Sequence, residues 1–137
     1  MKNALFSSVV LALCVFSAQG SPVEERSTKI LFDNSCHSIS LNPSIAVLTA
    51  TCLDTAGTAS VTSSISLNSC IANTNGMLEA KAGGDFAASC SSLSFSQSSG
   101  EPELTARCPN TAGTATFTTS IDLNSVLSNS NGFLTCP

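Results

Sequence analysis

The sequence predicts an all-β fold of two pseudo-symmetric repeats, each a three-stranded antiparallel sheet plus a β-hairpin, and three observations carry this prediction. The phrase Ser-Ile-x-Leu-Asn-Ser occurs at 64–69 and again at 120–125. Each copy is followed at the same spacing by Asn-x-Asn-Gly, at 73–76 and 129–132, and Asn-Gly between apolar residues is a strong signal for a tight hairpin. Thr-rich segments of alternating polarity precede these phrases and are typical of strands. Such close repetition indicates one supersecondary unit made twice.

Residues 1–20 have the pattern of a secretory signal peptide. Lys2 supplies the positive charge, residues 4–16 are mostly apolar, and Ala18-Gln19-Gly20 offers a small-residue cleavage site. A membrane anchor is the alternative, but the apolar run is shorter than the ~20 residues of a membrane-spanning helix. We therefore expect a secreted, extracellular protein without membrane insertion. Residues 21–31 then form a flexible N-terminal tail or a short pro-segment.

Loss of the signal peptide removes Cys14 and leaves an even number of cysteines. In a short secreted chain such a set indicates a disulfide framework, although the spacing alone leaves the pairing open. Basic residues are few, with five Lys and Arg, counting Lys2, against nine Asp and Glu. Because phosphate binding needs a basic face, the composition excludes a nucleic-acid partner. The remaining cysteines are Cys36, Cys52, Cys70, Cys90, Cys108 and Cys136.

The folded domain is predicted to span residues 32–137, with repeat 1 at 32–85 and repeat 2 at 86–137. Most positions of 48–78 are identical to their counterparts in 104–134. Both copies open with Phe-x-x-x-Cys, which is Phe32 with Cys36 in repeat 1 and Phe86 with Cys90 in repeat 2.

Each repeat is predicted to contain the same elements in the same order. After an opening strand, a strand of alternating polarity runs to the second cysteine, a Thr-Ala-Gly-Thr turn follows, and a Thr-rich strand returns. Apolar residues about three apart then indicate one helical or 3₁₀ turn, and an Asn-Gly type I′ hairpin closes the unit. The predicted segments are 46–52, 59–64, 65–71, 71–74 and 77–80 in repeat 1, and 103–108, 115–120, 121–127, 127–130 and 133–136 in repeat 2.

These motifs resemble the cyanovirin-N homologues, a family of carbohydrate-binding lectins built from two sequence repeats. The resemblance covers residues 32–137 and rests on the duplicated Phe-x-x-x-Cys, Ser-Ile-x-Leu-Asn-Ser and Asn-x-Asn-Gly motifs and on the second cysteine of each repeat. It implies a cyanovirin-N-like fold in which each repeat sends its Asn-Gly hairpin onto the sheet of the other, so that the halves interlace. It also implies the disulfides Cys36–Cys52 and Cys90–Cys108, worth roughly 3 kcal/mol each.

Cys70 and Cys136 have no counterpart in the family pattern, and the repeats differ there, with Val126 opposite Cys70 and Ala80 opposite Cys136. Interlaced halves would place Cys136, on the second hairpin, against the sheet after which Cys70 lies. We therefore expect a third disulfide, Cys70–Cys136.

In the family each half holds one shallow site for mannose-rich glycans, made from the start of a repeat, the loop after its second cysteine, and the other repeat's hairpin turn. Short polar side chains suit sugar hydroxyls, because their desolvation costs little when every hydrogen bond is replaced. The resemblance thus implies mannose-containing glycans or glycoproteins as partners of a monomer or a domain-swapped dimer. By alignment, the first site contains Asn34, Ser35, Thr55, Asn129 and Asn131, and the second contains Asn73, Asn75, Asp85, Ser89 and Thr111.

The two sites depart from the family pattern in their charged groups. Asn75 and Asn131 stand where the family has an acid in the turn, Leu31 and Leu53 replace polar positions in the first site, and Thr111 replaces a common arginine in the second. A carboxylate accepts a sugar's hydroxyl pair more strongly than an amide, by ~1 kcal/mol per bond. We therefore expect weaker or altered binding. If one site is silent, it is the first, which has lost more polar groups.

His37 lies beside Cys36 and is the only histidine. A zinc site needs clustered Cys and His ligands, and an oxidising compartment consumes the thiols. The sequence contains no nucleophile-elbow motif and no phosphate loop. We therefore expect no metal, no cofactor and no enzymatic activity, with His37 as a surface residue of the first strand.

Two functions from different classes follow from the sequence. The first is a secreted, non-catalytic lectin for mannose-type oligosaccharides. The second is a disulfide-stapled structural or protein-interaction module that has kept the fold and lost sugar binding. The amides of the two Asn-x-Asn-Gly turns favour the lectin, and the lost acids favour the module.

Overall fold

Strands and tight turns make up most of the molecule, and the all-β prediction is confirmed. A computed structural model describes residues 31–136 of the chain. The predicted signal peptide and the predicted tail up to residue 30 lie outside the described residues. No helix within 31–136 is long and apolar enough to span a membrane.

Each repeat consists of one three-stranded antiparallel sheet followed by one hairpin. The sheets have the order β1-β2-β3 and β6-β7-β8, and the hairpins are β4-β5 and β9-β10. Repeat 1 comprises a one-turn helix α1 (Phe32–Ser35), β1 (Cys36–Asn42), β2 (Val47–Leu53), β3 (Ser60–Ser66), a 3₁₀ turn (Leu67–Ser69), β4 (Ile71–Thr74) and β5 (Met77–Ala80). Repeat 2 comprises a 3₁₀ turn (Phe86–Ala88), β6 (Ser91–Ser96), β7 (Glu103–Pro109), β8 (Thr116–Asp122), a 3₁₀ turn (Leu123–Ser125), β9 (Ser128–Ser130) and β10 (Phe133–Thr135).

The short helical turn that opens each repeat was not predicted from the sequence. Phe32 and Phe86, the first residues of these turns, are fully buried. Neither segment has a side-chain cap or a helical periodicity that could reveal it. The turns form because burial of the two rings, worth roughly 1.5–3 kcal/mol each, fixes where the chain must pass.

The hairpins interlace as the resemblance implies. The backbone N–H of Leu134, on β10, donates to Ser63 Oγ of β3 at 2.9 Å. In the other half the backbone N–H of Leu78, on β5, donates to Thr119 Oγ1 of β8 at 3.2 Å. Thr119 is buried, and this bond replaces the hydrogen bond to water that its hydroxyl gives up on folding, so the net cost in free energy is small. Each half of the molecule therefore contains a sheet from one repeat and a hairpin from the other.

The Asn-Gly turns have the type I′ geometry that the sequence predicts. Asn75 and Gly76 have φ values of 52° and 90°, and Asn131 and Gly132 have 52° and 92°. The glycines also allow close packing, because a Cβ on Gly132 would lie 2.8 Å from a methyl carbon of Val61. The tip of each hairpin is thus pressed against the facing sheet.

One continuous hydrophobic core joins the two halves. Its fully buried members include matching residues from the two repeats, and partly buried side chains of both three-stranded sheets pack against it. The matching pairs are Phe32 with Phe86, Leu48 with Leu104, and Leu67 with Leu123. The halves consequently share one core and form one folding unit.

Three disulfides link the described chain. Two of them bridge neighbouring strands, Cys36–Cys52 between β1 and β2 and Cys90–Cys108 next to the β6-β7 pair. The third joins Cys70 to Cys136 across 66 residues of sequence. It fastens the end of the repeat 2 hairpin to the 3₁₀ turn of repeat 1, as the interlaced arrangement requires.

Candidate functional site

A cleft with a volume of about 250 Å³ lies where the repeat 2 hairpin meets repeat 1. The helix α1 and strand β2 contribute their last residues, and the turn after β2 and the tip of the β9-β10 hairpin contribute the rest. We call this the first cleft, and its lining residues are Ser35, Leu53, Asp54, Thr55, Asn129 and Asn131. Four of the five residues predicted for the first site are therefore brought together.

Asn129 anchors the hairpin to the opposite repeat. Its Nδ2 donates to Ser35 Oγ at 2.9 Å and to the carbonyl oxygen of Leu53 at 2.9 Å. Its Oδ1 accepts from the backbone N–H of Gly132 at 2.8 Å. Both amide hydrogens are therefore used, and Asn129 positions the cleft while offering little to a ligand.

Asn131 and Thr55 form the open edge of the cleft. Asn131 Oδ1 accepts from the backbone N–H of Thr55 at 3.1 Å, and both residues are exposed. Neither Nδ2 of Asn131 nor the hydroxyl of Thr55 has a partner within residues 31–136. These two groups are free to donate to a ligand.

Asp54 brings a carboxylate to the first cleft that the sequence reasoning did not include. Its Oδ1 accepts from the backbone N–H of Thr58 at 2.8 Å and of Ala59 at 3.2 Å, and its Oδ2 accepts from Thr58 Oγ1 at 3.2 Å. The bond from Ala59, followed by that from Thr58, lowers the pKa of Asp54 below its ordinary value of 3.8, because both bonds stabilise the ionised form. Asp54 is thus an anion with acceptor capacity left on Oδ2.

The equivalent surface of the other half, the second cleft, repeats the same hydrogen bonds. Asn73 Nδ2 donates to Ser89 Oγ and to the carbonyl oxygen of Pro109, both at 3.0 Å, and its Oδ1 accepts from the N–H of Gly76 at 2.8 Å. Asn75 Oδ1 accepts from the backbone N–H of Thr111 at 3.1 Å. These bonds bring together Asn73, Asn75, Ser89 and Thr111 of the predicted second site.

Two consecutive positions after the second cysteine differ between the clefts. Pro109 and Asn110 stand where the first cleft has Leu53 and Asp54. Asn110 Oδ1 accepts from the backbone N–H of Thr114 at 2.9 Å and of Ala115 at 3.3 Å, so its amide holds the turn as the carboxylate of Asp54 does. The architecture is therefore the same, and the charge is not.

Asn34 and Asp85 are the predicted residues whose side chains take no part in these hydrogen bonds. Asn34 is exposed on α1, where its backbone N–H donates to the carbonyl oxygen of Leu31 at 2.9 Å, and it does not line the first cleft. Asp85 precedes the 3₁₀ turn of repeat 2 with a φ of 48° and is bridged through its backbone to Ala72. It is exposed, and its side chain makes no hydrogen bond within residues 31–136.

Asp54 had a signal in the sequence. It lies between Leu53 and Thr55, both of which the alignment placed at the first site, and its counterpart is Asn110. The loop after the second cysteine therefore carries an acid in repeat 1, although the Asn-Gly turn of its cleft does not.

The described part of the chain offers no cluster of three or more side chains that could hold a metal ion. His37 is exposed on β1 and lies outside both clefts. The first cleft offers amides, hydroxyls and the carboxylate of Asp54.

The fold is similar to those of known structures. The designed cyanovirin-N homologue lectin LKAMG superposes with a TM-score of 0.69 at 25% identity, covering 77% of this chain and 98% of its own. TbCVNH from T. borchii gives a TM-score of 0.63 at 29% identity over 77% and 98%. Microvirin, in its mannobiose complex, gives 0.60 at 25% identity over 77% and 97%. No curated protein matches the sequence significantly.

The family model described as the CVNH domain matches residues 32–136, which is nearly the whole of the described chain. Fold, repeats and family model agree. The chain belongs to the CVNH domain family, the cyanovirin-N homologues.

Proposed function

We propose that the chain is a secreted, non-catalytic lectin that binds mannose-type oligosaccharides through two shallow polar clefts, one in each half. The observation that carries the proposal is that some polar groups of the first cleft hold the fold together while others are free to bind a ligand. Asn129 is consumed in holding the hairpin, whereas Asn131 and Thr55 keep unpaired donors at the open edge. A cleft that is fixed before a ligand arrives costs less to occupy.

The chemistry of the first cleft suits a sugar ring. Donors from Asn131 and Thr55 face the acceptor capacity of Asp54, and the side chain of Leu53, 38% exposed, offers an apolar surface for the ring carbons. Sugar hydroxyls both donate and accept, so they need such mixed partners. The volume of about 250 Å³ is small, which favours one or two sugar units over a long chain.

The relatives support the proposal at the level of ligand class. LKAMG is described as a lectin, and microvirin was solved with mannobiose. Both are 25% identical to this chain, and each is covered over at least 97% of its length. We infer from them that a mannose-type disaccharide is the first ligand to test.

The balance between the clefts is a separate part of the proposal. From the sequence we expect the first cleft to be the weaker one, because Leu31 and Leu53 replace polar groups there. Asp54, however, gives the same cleft a charge-assisted acceptor where the second cleft has the amide of Asn110, and such bonds are about twice as strong as neutral ones. We therefore propose that the first cleft is active, and that any silent cleft is the second.

A titration followed by NMR tests the function and the balance together. The mature chain is titrated with mannobiose, and the backbone amides of Thr55 and Thr111 report the first and second cleft separately. We expect saturable shifts at Thr55 at millimolar concentration or below. Absence of shifts at both amides, together with a blank glycan array, would refute the lectin and leave the alternative, a structural or protein-interaction module.

Secretion and oligomeric state are tested on the expressed full-length chain. We expect the protein in the culture medium with an N-terminus at Ser21, as read by mass spectrometry. Size-exclusion chromatography with light scattering then distinguishes a monomer from a domain-swapped dimer. Retention of residues 1–20 in the mature protein would contradict the signal peptide.

A further inference from the structure

A cavity of about 370 Å³ lies between the two repeats and shares no lining residue with the first cleft. Repeat 1 contributes Pro43 and Ser44 from the turn between β1 and β2. Repeat 2 contributes Ala87 and the stretch from Ser91 to Leu93. We propose that this inter-repeat cleft is a third ligand site, which binds a neutral sugar residue, and it does not depend on binding at the other two clefts.

Three hydroxyl groups line the inter-repeat cleft. Those of Ser44, Ser91 and Ser92 have no hydrogen-bond partner within residues 31–136. The turn is held instead by the backbone N–H of Ser44, which donates to Asn42 Oδ1 at 3.1 Å. The hydroxyl of Ser44 is therefore left for a ligand without any cost to the turn.

A β-bulge adds backbone groups to the same wall. Strand β6 pairs with β7 at Ser91 and again at Ser94, and the register shifts between them. Ser92 has a φ of 54°, in the left-handed region. A bulge leaves its extra residue out of the ladder and re-aims side chains, and both Ser92 and Leu93 line the cleft.

The bulge alone does not define a ligand site, because it is part of the repeated fold: repeat 1 has the same bulge, with Ser38 at a φ of 53°. The repeats do differ at the third residue before their first cysteine, which is Ala87 in repeat 2 and Asp33 in repeat 1. Both residues donate their backbone N–H to an equivalent asparagine, so they occupy matching places. The small side chain of Ala87 leaves room that a carboxylate would take.

The lining indicates the class of ligand. It contains no charged side chain, which disfavours phosphates and carboxylates, since these need a cation or a cluster of N–H groups. Pro43, Ala87 and Leu93 offer apolar surface beside the hydroxyls. A neutral ring with hydroxyls on its edge and C–H groups on its faces matches this mixture. The volume of about 370 Å³ falls within the usual range of small-ligand pockets, roughly 300–1,000 Å³.

The test is an NMR titration of the mature chain with methyl α-D-mannopyranoside and with N-acetylglucosamine, and glucuronic acid serves as the charged comparison. We expect the amides of Ser91 and Leu93 to shift with at least one neutral sugar and to respond several-fold more weakly to the acid. No shift at these amides with either neutral sugar up to high millimolar concentration would overturn the proposal. Thr55 and Thr111 report the proposed lectin clefts independently.

Two variants locate the site. Ala87→Asp gives repeat 2 the residue of repeat 1, and we expect it to weaken binding at Ser91 by at least about fivefold. Ala88→Asn is the control, because it also gives repeat 2 the matching residue of repeat 1 but at a position that does not line the cleft. This variant should bind the sugar as the parent does. If Ala87→Asp does not fold, Ser44→Ala replaces it, because the hydroxyl of Ser44 supports nothing in the fold. Unchanged binding in Ser44→Ala and in a folded Ala87→Asp would contradict the assignment.

Discussion

The first and second clefts have the same hydrogen bonds and different chemistry. Asn129 and Asn73 each make three bonds, to the same kinds of partner, and the distances agree within about 0.1 Å. Asp54 in one cleft and Asn110 in the other hold their turns in the same way. The amides of Asn129 and Asn73 are therefore part of the fold, and the clefts differ in charge where Asp54 matches Asn110.

The largest expected effect comes from the disulfide that makes the halves unequal. Cys70–Cys136 fastens the repeat 2 hairpin, whereas Val126 and Ala80 stand at the matching positions and leave the repeat 1 hairpin without a cross-link. The double variant Cys70→Val with Cys136→Ala makes the halves alike. Because the bond closes a loop of 66 residues, we expect the free energy of unfolding in guanidinium to fall by about 4 kcal/mol. A loss below about 1 kcal/mol would contradict the prediction.

The next effect tests whether the two anchoring amides are equivalent. Asn129→Ala and Asn73→Ala each remove three hydrogen bonds between a hairpin and its surroundings. At about 1 kcal/mol per bond, we expect each variant to lose about 2–3 kcal/mol of unfolding free energy. Asn131→Gly, which removes one bond and keeps a residue that tolerates the positive φ of this position, is the matched control and should lose about 1 kcal/mol. Unequal losses for Asn129→Ala and Asn73→Ala would show that equal hydrogen-bond distances do not give equal contributions to stability.

A smaller effect separates the chemistry of the clefts. Asp54→Asn gives the first cleft the amide of the second, and Asn110→Asp does the reverse. We expect Asp54→Asn to weaken mannobiose at the Thr55 amide by about fivefold, since a charge-assisted bond exceeds a neutral one by about 1 kcal/mol. Thr111, which reports the second cleft, should not change. Equal affinity in the parent and in Asp54→Asn would show that the carboxylate does not contact the sugar.

The smallest effect is the pH dependence of stability. Folding lowers the pKa of Asp54, because the N–H groups of Ala59 and Thr58 stabilise the ionised form. The contribution of Asp54 is therefore fully present above its unfolded pKa, near 3.8, and is lost as the pH falls through its lower folded pKa. When the pH is lowered from 7 to 2, we expect the melting temperature of Asp54→Asn to fall by less than that of the parent. An identical fall in melting temperature in the two proteins would contradict this.

Local signals in the sequence account for the parts that were predicted. Asn75-Gly76 and Asn131-Gly132 define their turns by φ values that few other residues adopt. Interlacing, taken from the family, places Cys70 beside Cys136 and brings Asn129 to Ser35. Those contacts follow from topology once the repeats are aligned.

The parts that were missed depend on tertiary structure. The helix α1 forms because the core takes in Phe32, and no local pattern reports that. The inter-repeat cleft joins Ser44 to Ser91, which lie far apart in sequence and in different repeats. Asp54 was within reach of an alignment, but its role depends on the turn that its carboxylate caps.

The Cys70–Cys136 bond also changes how the molecule would respond to a pulling force. Tension applied between the two ends of the described chain passes from Cys136 directly to Cys70, and it bypasses everything between them, including all of repeat 2. Cys36–Cys52 bypasses β1 and most of β2 in the same way. Only residues 31–36 and 52–70 then bear the load. In single-molecule stretching we therefore expect the chain to extend only a short distance when it unfolds. This extension should become severalfold longer when the disulfides are reduced.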